Sequence, residues 1–301
     1  MNSETVINQS IIKNNYGYYE VRNKPRESEL NEYYSKKYYQ DEKGNYSHFY
    51  NENDLKYFSN KIEQKFWIIE DLFKTKNHDG KKLLDIGCGE GFTLKYFSER
   101  NWEVLGLDYS NFGCGNINPQ VLPNLKTGDI YQTILQLIKD KEKFDVIWLS
   151  NILEHVIDPK KLLEDCKSLS NENTVLVIQV PNDFSIIQNN LLETKKVESE
   201  FWVALPDHLS YFNAEGLNNL CSHVNWGNHK MITDFPIDLF LMNDSSNYIK
   251  DKSTGKNANN ARIEFENLFH EQAGKKINDV YESMASVGLG RQITGFYKMK
   301  I

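Results

Sequence analysis

Leu83-Leu84-Asp85-Ile86-Gly87-Cys88-Gly89-Glu90-Gly91 is the stretch whose reading decides the fold. An apolar run ends in an acid, glycines follow at alternate positions, and a helix-like segment starts at Phe92. That order encodes a strand, a tight turn and a helix start. Glycines at 87, 89 and 91 let the backbone bend sharply and lie against a ligand, because no Cβ intervenes. The helix start presents N–H groups that have no partner within the helix. A nucleoside-bearing cofactor suits such a turn.

The spacing separates the candidate cofactors. A dinucleotide turn reads G-x-G-x-x-G. Counting from Gly87, the third glycine position holds Phe92, and the glycine comes one place early, at Gly91. Asp85 also lies where a pyrophosphate would be repelled. No G-x-x-x-x-G-K-[ST] run is present, which excludes a P-loop. A cofactor with a cationic sulfonium and an amino-acid tail fits better.

Three further segments follow in order. Val104-Leu105-Gly106-Leu107-Asp108 reads as a second strand ending in an acid, 23 positions after Asp85. That is close to the roughly 20-residue offset of a ribose-binding acid. Gly128-Asp129-Ile130 comes next, and then Phe144 to Val156, which contains Ser150, Asn151, Glu154 and His155. Together these motifs resemble class I S-adenosylmethionine-dependent methyltransferases, over about residues 80–225 and the last ten. The resemblance is nearest to the group of ubiquinone-type and sugar O-methyltransferases. It implies a Rossmann-like, mostly parallel sheet with an antiparallel last strand and helices on both faces.

It also implies roles. Gly87, Cys88, Gly89 and Gly91 line the methionine half of S-adenosylmethionine, and Asp85 meets its ammonium directly or through water. Asp108 accepts from both ribose hydroxyls, since a carboxylate offers several acceptor sites. Asp129 accepts from the adenine amino group and Ile130 flanks the ring; Tyr109 either covers the ring or is a surface aromatic. Ser150 and Asn151 close the fourth strand, beyond whose carboxyl end a ligand of an open parallel sheet sits. The segment Trp202 to Phe212 carries His208 in a His-hydrophobe-x-Tyr/Phe-Phe pattern. His208 is the first expectation for a general base, and His155 is either a second candidate or a support beneath the cofactor.

Composition narrows the partners. The 301 residues carry a net charge of −7, against a nucleic-acid partner. No apolar run approaches a membrane span or the apolar core of a signal peptide. The four cysteines form no C-x-x-C pair, so neither structural zinc nor disulfides are expected, no metal is assigned, and a reducing cytoplasm fits. Oligomeric state is not encoded legibly.

Periodicity fills in the rest. An amphipathic helix covers 54–74, with Leu55, Phe58, Ile62, Phe66, Ile69 and Phe73 on one stripe. Strands are expected at 82–86, 103–107, 124–127, 143–149 and 174–180, with helices at 91–99, 130–139 and 159–169. Their alternation means a parallel sheet covered on both faces. Residues 181–212 read as irregular, 214–223 as helix, 229–241 as strand, 243–261 as a polar loop, 262–285 as helix and 291–300 as the last strand. The expected organisation is an N-terminal cap and helix (1–75), a core (76–242 and 289–301) and an inserted cap segment (243–288). Ten tyrosines among the first sixty residues, Tyr16 to Tyr57, either contact an acceptor or pack the cap onto the core. The polar, aromatic cap suits a bulky polar acceptor, and the tail Gly288-Leu289-Gly290-Arg291-Gln292-Ile293 resembles sugar- and polysaccharide-modifying members of the group, which implies O-methylation of a sugar in a surface glycan or its precursor. A phenol or quinone-precursor O-methyltransferase is the alternative, and a non-catalytic cofactor-binding protein the second.

Overall fold

The structure, a computed structural model, describes residues 8–26, 29, 50–74 and 77–300. Tyr33, Tyr34, Tyr38, Tyr39 and Tyr46 lie outside the described residues. The strands are β1 (Ile11–Lys13), β2 (Tyr19–Val21), β3 (Lys82–Ile86), β4 (Glu103–Asp108), β5 (Leu125–Thr127), β6 (Phe144–Ser150), β7 (Ser170–Pro181), β8 (Ser210–Tyr211), β9 (Trp226–Thr233) and β10 (Gln292–Met299). The helices are α1 (Glu52–Phe73), α2 (Phe92–Ser98), α3 (Phe112–Ile117), α4 (Ile130–Lys139), α5 (Pro159–Ser168), α6 (Ile186–Glu193), α7 (Ala214–His223), α8 (Gly255–Ala273) and α9 (Ile277–Ser286).

Seven strands form one sheet in the order β5-β4-β3-β6-β7-β10-β9. The first five strands in this order pair in parallel, and β10 runs antiparallel to both β7 and β9. This is the expected Rossmann-like sheet. Strand order reverses between β3 and β6, and a crevice for ligands opens beyond the carboxyl ends there.

Strand alternation builds two cores. Leu83, Val146, Trp148 and Val177 face α1, α2 and α9 with Phe66, Ile69, Phe97 and Tyr281. Leu84, Ile147, Leu149 and Ile178 face α4, α5 and α7 with Ile134, Leu162, Leu217 and Trp226. Leu83 and Leu84 are both fully buried, each worth about 1.5–3 kcal/mol. Both faces being covered explains why the central strands read as unbroken apolar runs. Asp158 caps α5 and Pro159 occupies its first position, which fixes the start of the helix expected from 159.

The structure corrects four elements. The irregular stretch 181–212 contains α6, started by a capping box between Ser185 and Gln188. The strand placed at 229–241 runs Trp226–Thr233, and Pro236 opens a short 3-10 turn instead. The polar loop 243–261 and the single helix 262–285 are replaced by α8 and α9, broken at Gly274 with φ of 53°. Asn257, Asn259 and Asn260 are weak helix formers, so their composition read as loop. Finally, residues 8–26, where the periodicity marks no element, contain two short strands. β1 and β2 pair with β8 in a three-stranded sheet, and Tyr18 packs on Phe212 with ring centroids 4.4 Å apart.

Candidate active site

The glycine turn leaves β3 and is pinned to β4. Gly87 N and Cys88 N both donate to Leu107 O, at 2.7 and 3.1 Å. Gly87 has φ of 75°, and a Cβ there would stand 2.0 Å from Ile152 Cδ1. Only glycine leaves this cradle open. Gly91, at φ of 76°, ends the turn and starts α2.

Asp108 reaches back to the same turn. Its Oδ2 accepts from Gly89 N at 2.8 Å and its Oδ1 from Ser110 N at 3.1 Å. Burial raises its pKa. Asp85 is 2% exposed, and burial, reinforced by Asp108, pushes its carboxyl up to about 8. Thr93 and Lys65 oppose that shift. Cys88 lines the same space, and burial raises its thiol far above the usual range, so it is no nucleophile.

A cavity of about 490 Å³ opens over these groups. Its first half lies over β3, β4 and β6, with Asp85, Gly87, Gly89, Asp108, Ser150 and Asn151. Asn151 has φ of 54°, and its N–H donates to Gln179 O at 2.9 Å. A smaller pocket of about 90 Å³ shares Gly87, Asp108, Asn151 and Ile152 with the large cavity. Tyr109, Ile130, Tyr131, His155, Val156 and Leu162 complete it as a narrow apolar slot. Asp129 stands beside the slot as the N-cap of α4, its Oδ1 accepting from Tyr131 N and Gln132 N. Of the predicted cofactor residues, all but Gly91 and Asp129 line one or other of these two adjoining pockets.

The far half of the large cavity escaped the sequence reading. It lies over β7, β10 and β9 and is lined by Gln179, Gln292, Thr294, Thr233 and Asp234. Tyr57, Lys61 and Lys65 come from α1, and Arg262 from α8. Lys65 donates to Gln179 Oε1, and its Nζ lies 5.4 Å from the Trp148 ring centroid. Burial, aided by Lys61, lowers its pKa to about 7. Arg262 donates to Tyr57 OH at 2.6 Å, while Lys61 pairs with Glu266 at 3.3 Å. Burial raises the Asp234 carboxyl, whose Oδ1 accepts from Arg291 N and Gln292 N at 2.8 Å each. One signal was present: Lys61 and Lys65 sit four apart beside the apolar stripe of α1.

His208 does not stand where a base over the large cavity would, whereas His155 stands where a support beneath the cofactor would. Neither lines the large cavity, and His155 borders the small slot. The reason is the fold of residues 202–209. Leu209 N and Ser210 N donate to Glu154 O, and β8 pairs with β2, which draws His208 onto the β6–α5 turn. The two imidazole rings meet edge to face, 4.8 Å apart. Although no metal is expected from the sequence, Glu154, His155 and His208 each offer a donor atom, all within 4.8 Å of one another.

A Rossmann-like sheet with this glycine cradle, an acid closing β4 and an apolar slot beside it defines a class I S-adenosylmethionine-dependent methyltransferase, and S-adenosylmethionine is the cofactor that its residues fit. A family model described as "Methyltransferase domain" matches residues 57–230, more than half of the chain. The chain belongs to that family. Among curated proteins, it is similar to the ubiquinone biosynthesis O-methyltransferase of Haemophilus ducreyi, 30% identical over 109 residues that cover 34% of this chain and 46% of the relative. The enzyme of that name from Paraburkholderia phymatum is 35% identical over 92 residues, covering 30% and 40%. The chain thus spans less than half the length of these relatives. A solved SAM dependent methyltransferase from Archaeoglobus fulgidus aligns over 80% of this chain and 94% of its own, at 19% identity and a TM-score of 0.48. Among the described residues, no helix is long and apolar enough to cross a membrane.

Proposed function

We propose that this chain transfers a methyl group to an oxygen of a polar, hydroxyl-bearing small molecule, in our reading a sugar of a surface glycan or its precursor. S-adenosylmethionine would supply the electrophilic methyl group. Asp85 would meet the cofactor's ammonium, Lys65 its carboxylate and Asp108 its ribose hydroxyls. Tyr109 and Ile130 would enclose the adenine, with Asp129 at its edge. Holding the two reactants in line accounts for most of the rate in this reading.

One observation supports the acceptor reading: the far half of the cavity presents a row of amides and hydroxyls (Gln179, Gln292, Thr233, Thr294) beside the apolar Ile232 and Trp148. Most of that row lies beyond residue 230, outside the stretch matching the family model. Asp234 is the carboxylate of this half, and we assign it the acceptor's proton in place of His208. The second reading, methylation of a phenolic or quinone precursor, is favoured by the relatives, which are named for ubiquinone biosynthesis.

The test is a transfer assay with labelled S-adenosylmethionine against nucleotide sugars, free glycosides and catechols. Labelled sugar with catechols unlabelled is expected. Labelled catechols with unlabelled sugars would replace the sugar reading by the phenolic one. No cofactor binding at all would overturn the assignment as an enzyme.

A further inference from the structure

We propose that Glu154, His155 and His208 form a divalent-cation site just beyond the carboxyl end of β6. Each offers one donor atom, and the three atoms lie within 4.8 Å of one another. Ligand atoms about 2.1 Å from a tetrahedral metal stand roughly 3.4 Å apart, a difference that small side-chain rotations cover. Glu154 is 1% exposed, and its Oε2 has no hydrogen-bond partner among the described residues. Among those residues its ion-pair contact is His155, at 3.8 Å, and no lysine or arginine reaches it. A buried carboxylate without a compensating charge is costly, and a cation supplies that charge.

The surroundings hold these donors in place. His155 Nδ1–H donates to Asp207 O at 2.8 Å, which directs Nε2 toward Glu154. A backbone carbonyl on the second ring nitrogen is how metal-bound imidazoles are oriented. Leu209 N and Ser210 N donate to Glu154 O at 2.8 and 3.1 Å, tying the His208 segment to the Glu154 backbone. Two imidazoles and one carboxylate suit zinc or manganese better than calcium. Three protein ligands leave a coordination position open.

The location gives the cation a use. His155 lines the small slot together with Asn151 and Ile152, which also border the large cavity. A cation there would fix the turn after β6 that carries Asn151 and Ile152, on the adenine side of the cofactor and away from the acceptor half of the cavity. The site itself does not depend on which acceptor is methylated.

The test uses the tag-free chain, stripped of metal and titrated calorimetrically with zinc chloride and, separately, manganese chloride. One ion per chain is expected. Glu154→Gln and His208→Ala should each weaken binding at least tenfold, while S-adenosylhomocysteine affinity stays within about threefold and shows that the fold persists. Having two variants keeps the test decisive if one fails to fold. His229→Ala, on the exposed side of β9, should bind the ion as the parent does. Absence of binding by the parent chain overturns the proposal, and so does unchanged binding by both variants. Loss of S-adenosylhomocysteine binding by the parent would instead strike at the methyltransferase reading.

Discussion

Asp108 and Asp234 show how one residue type serves two ends of a cavity. Asp108 spends one lone pair of each oxygen on a backbone N–H and keeps the others for a ligand. Asp108→Ala should weaken S-adenosylhomocysteine binding by about 1.5–3 kcal/mol, the usual worth of hydrogen bonds to a charged group. Calorimetry on the variant checks this, and an unchanged affinity would remove Asp108 from the ribose. Asp234 is better tested by Asn, which keeps the oxygen that Arg291 N and Gln292 N need. Asp234→Asn should cut turnover about 10²–10⁴-fold, the range for a positioned base, with cofactor affinity nearly unchanged. A loss below tenfold, measured at saturating cofactor, would return the search for a base to other groups.

At the scale of elements, α8 matters through its grip on α1. Glu266 Oε1 accepts from Phe235 N at 2.9 Å and Tyr281 OH at 3.0 Å, and lies 3.3 Å from Lys61 Nζ. Glu266 is 1% exposed, so its removal leaves Lys61 poorly compensated at a buried site. Glu266→Ala should therefore cost about 3–5 kcal/mol of stability, read from denaturant midpoints. A cost under 1 kcal/mol would show that α8 is held by its apolar contacts alone. The β1–β2 hairpin behaves similarly. It covers Tyr211 and Phe212, both fully buried. Deleting residues 8–26 should lower the melting temperature, as the packing alternative for the N-terminal tyrosines requires, and an unchanged melting temperature would leave only the acceptor-contact alternative.

The whole molecule stores buried acids that resist ionisation. Burial raises Asp85 to about 8 and Asp183 to about 7, the latter against the opposing pull of Arg291. Unfolded, both carboxyls titrate near 4. Between pH 4 and 7 the folded chain therefore holds protons that the unfolded chain has released. Raising the pH through this window favours unfolding. The melting temperature of the cofactor-free protein should fall from pH 5 to pH 7, and Asp85→Asn should flatten that fall. A melting temperature that rises over this interval would contradict the buried, protonated state of Asp85. Lys65 acts in the opposite sense above pH 7, since the folded chain has lost a proton there that the unfolded chain keeps to about 10.4.

The sequence by itself determined the mostly parallel sheet with its antiparallel last strand and marked the residues expected to hold the cofactor. Those features are local: an apolar run, an alternating glycine turn and a terminal acid lie within a few residues, so Asp85, Gly87 and Asp108 announce their places. The capping box at Ser185 was equally local and was legible in principle. The far half of the cavity was not. Lys61, Asp234, Arg262 and Gln292 are far apart in the chain, and each reads as an ordinary polar residue of a helix, a loop or a strand edge. Only the antiparallel insertion of β10 between β7 and β9, with α8 laid across α1, brings them to one wall. The same holds for Glu154 and His208. Their approach depends on backbone hydrogen bonds from Leu209 and Ser210, long-range contacts that no periodicity records.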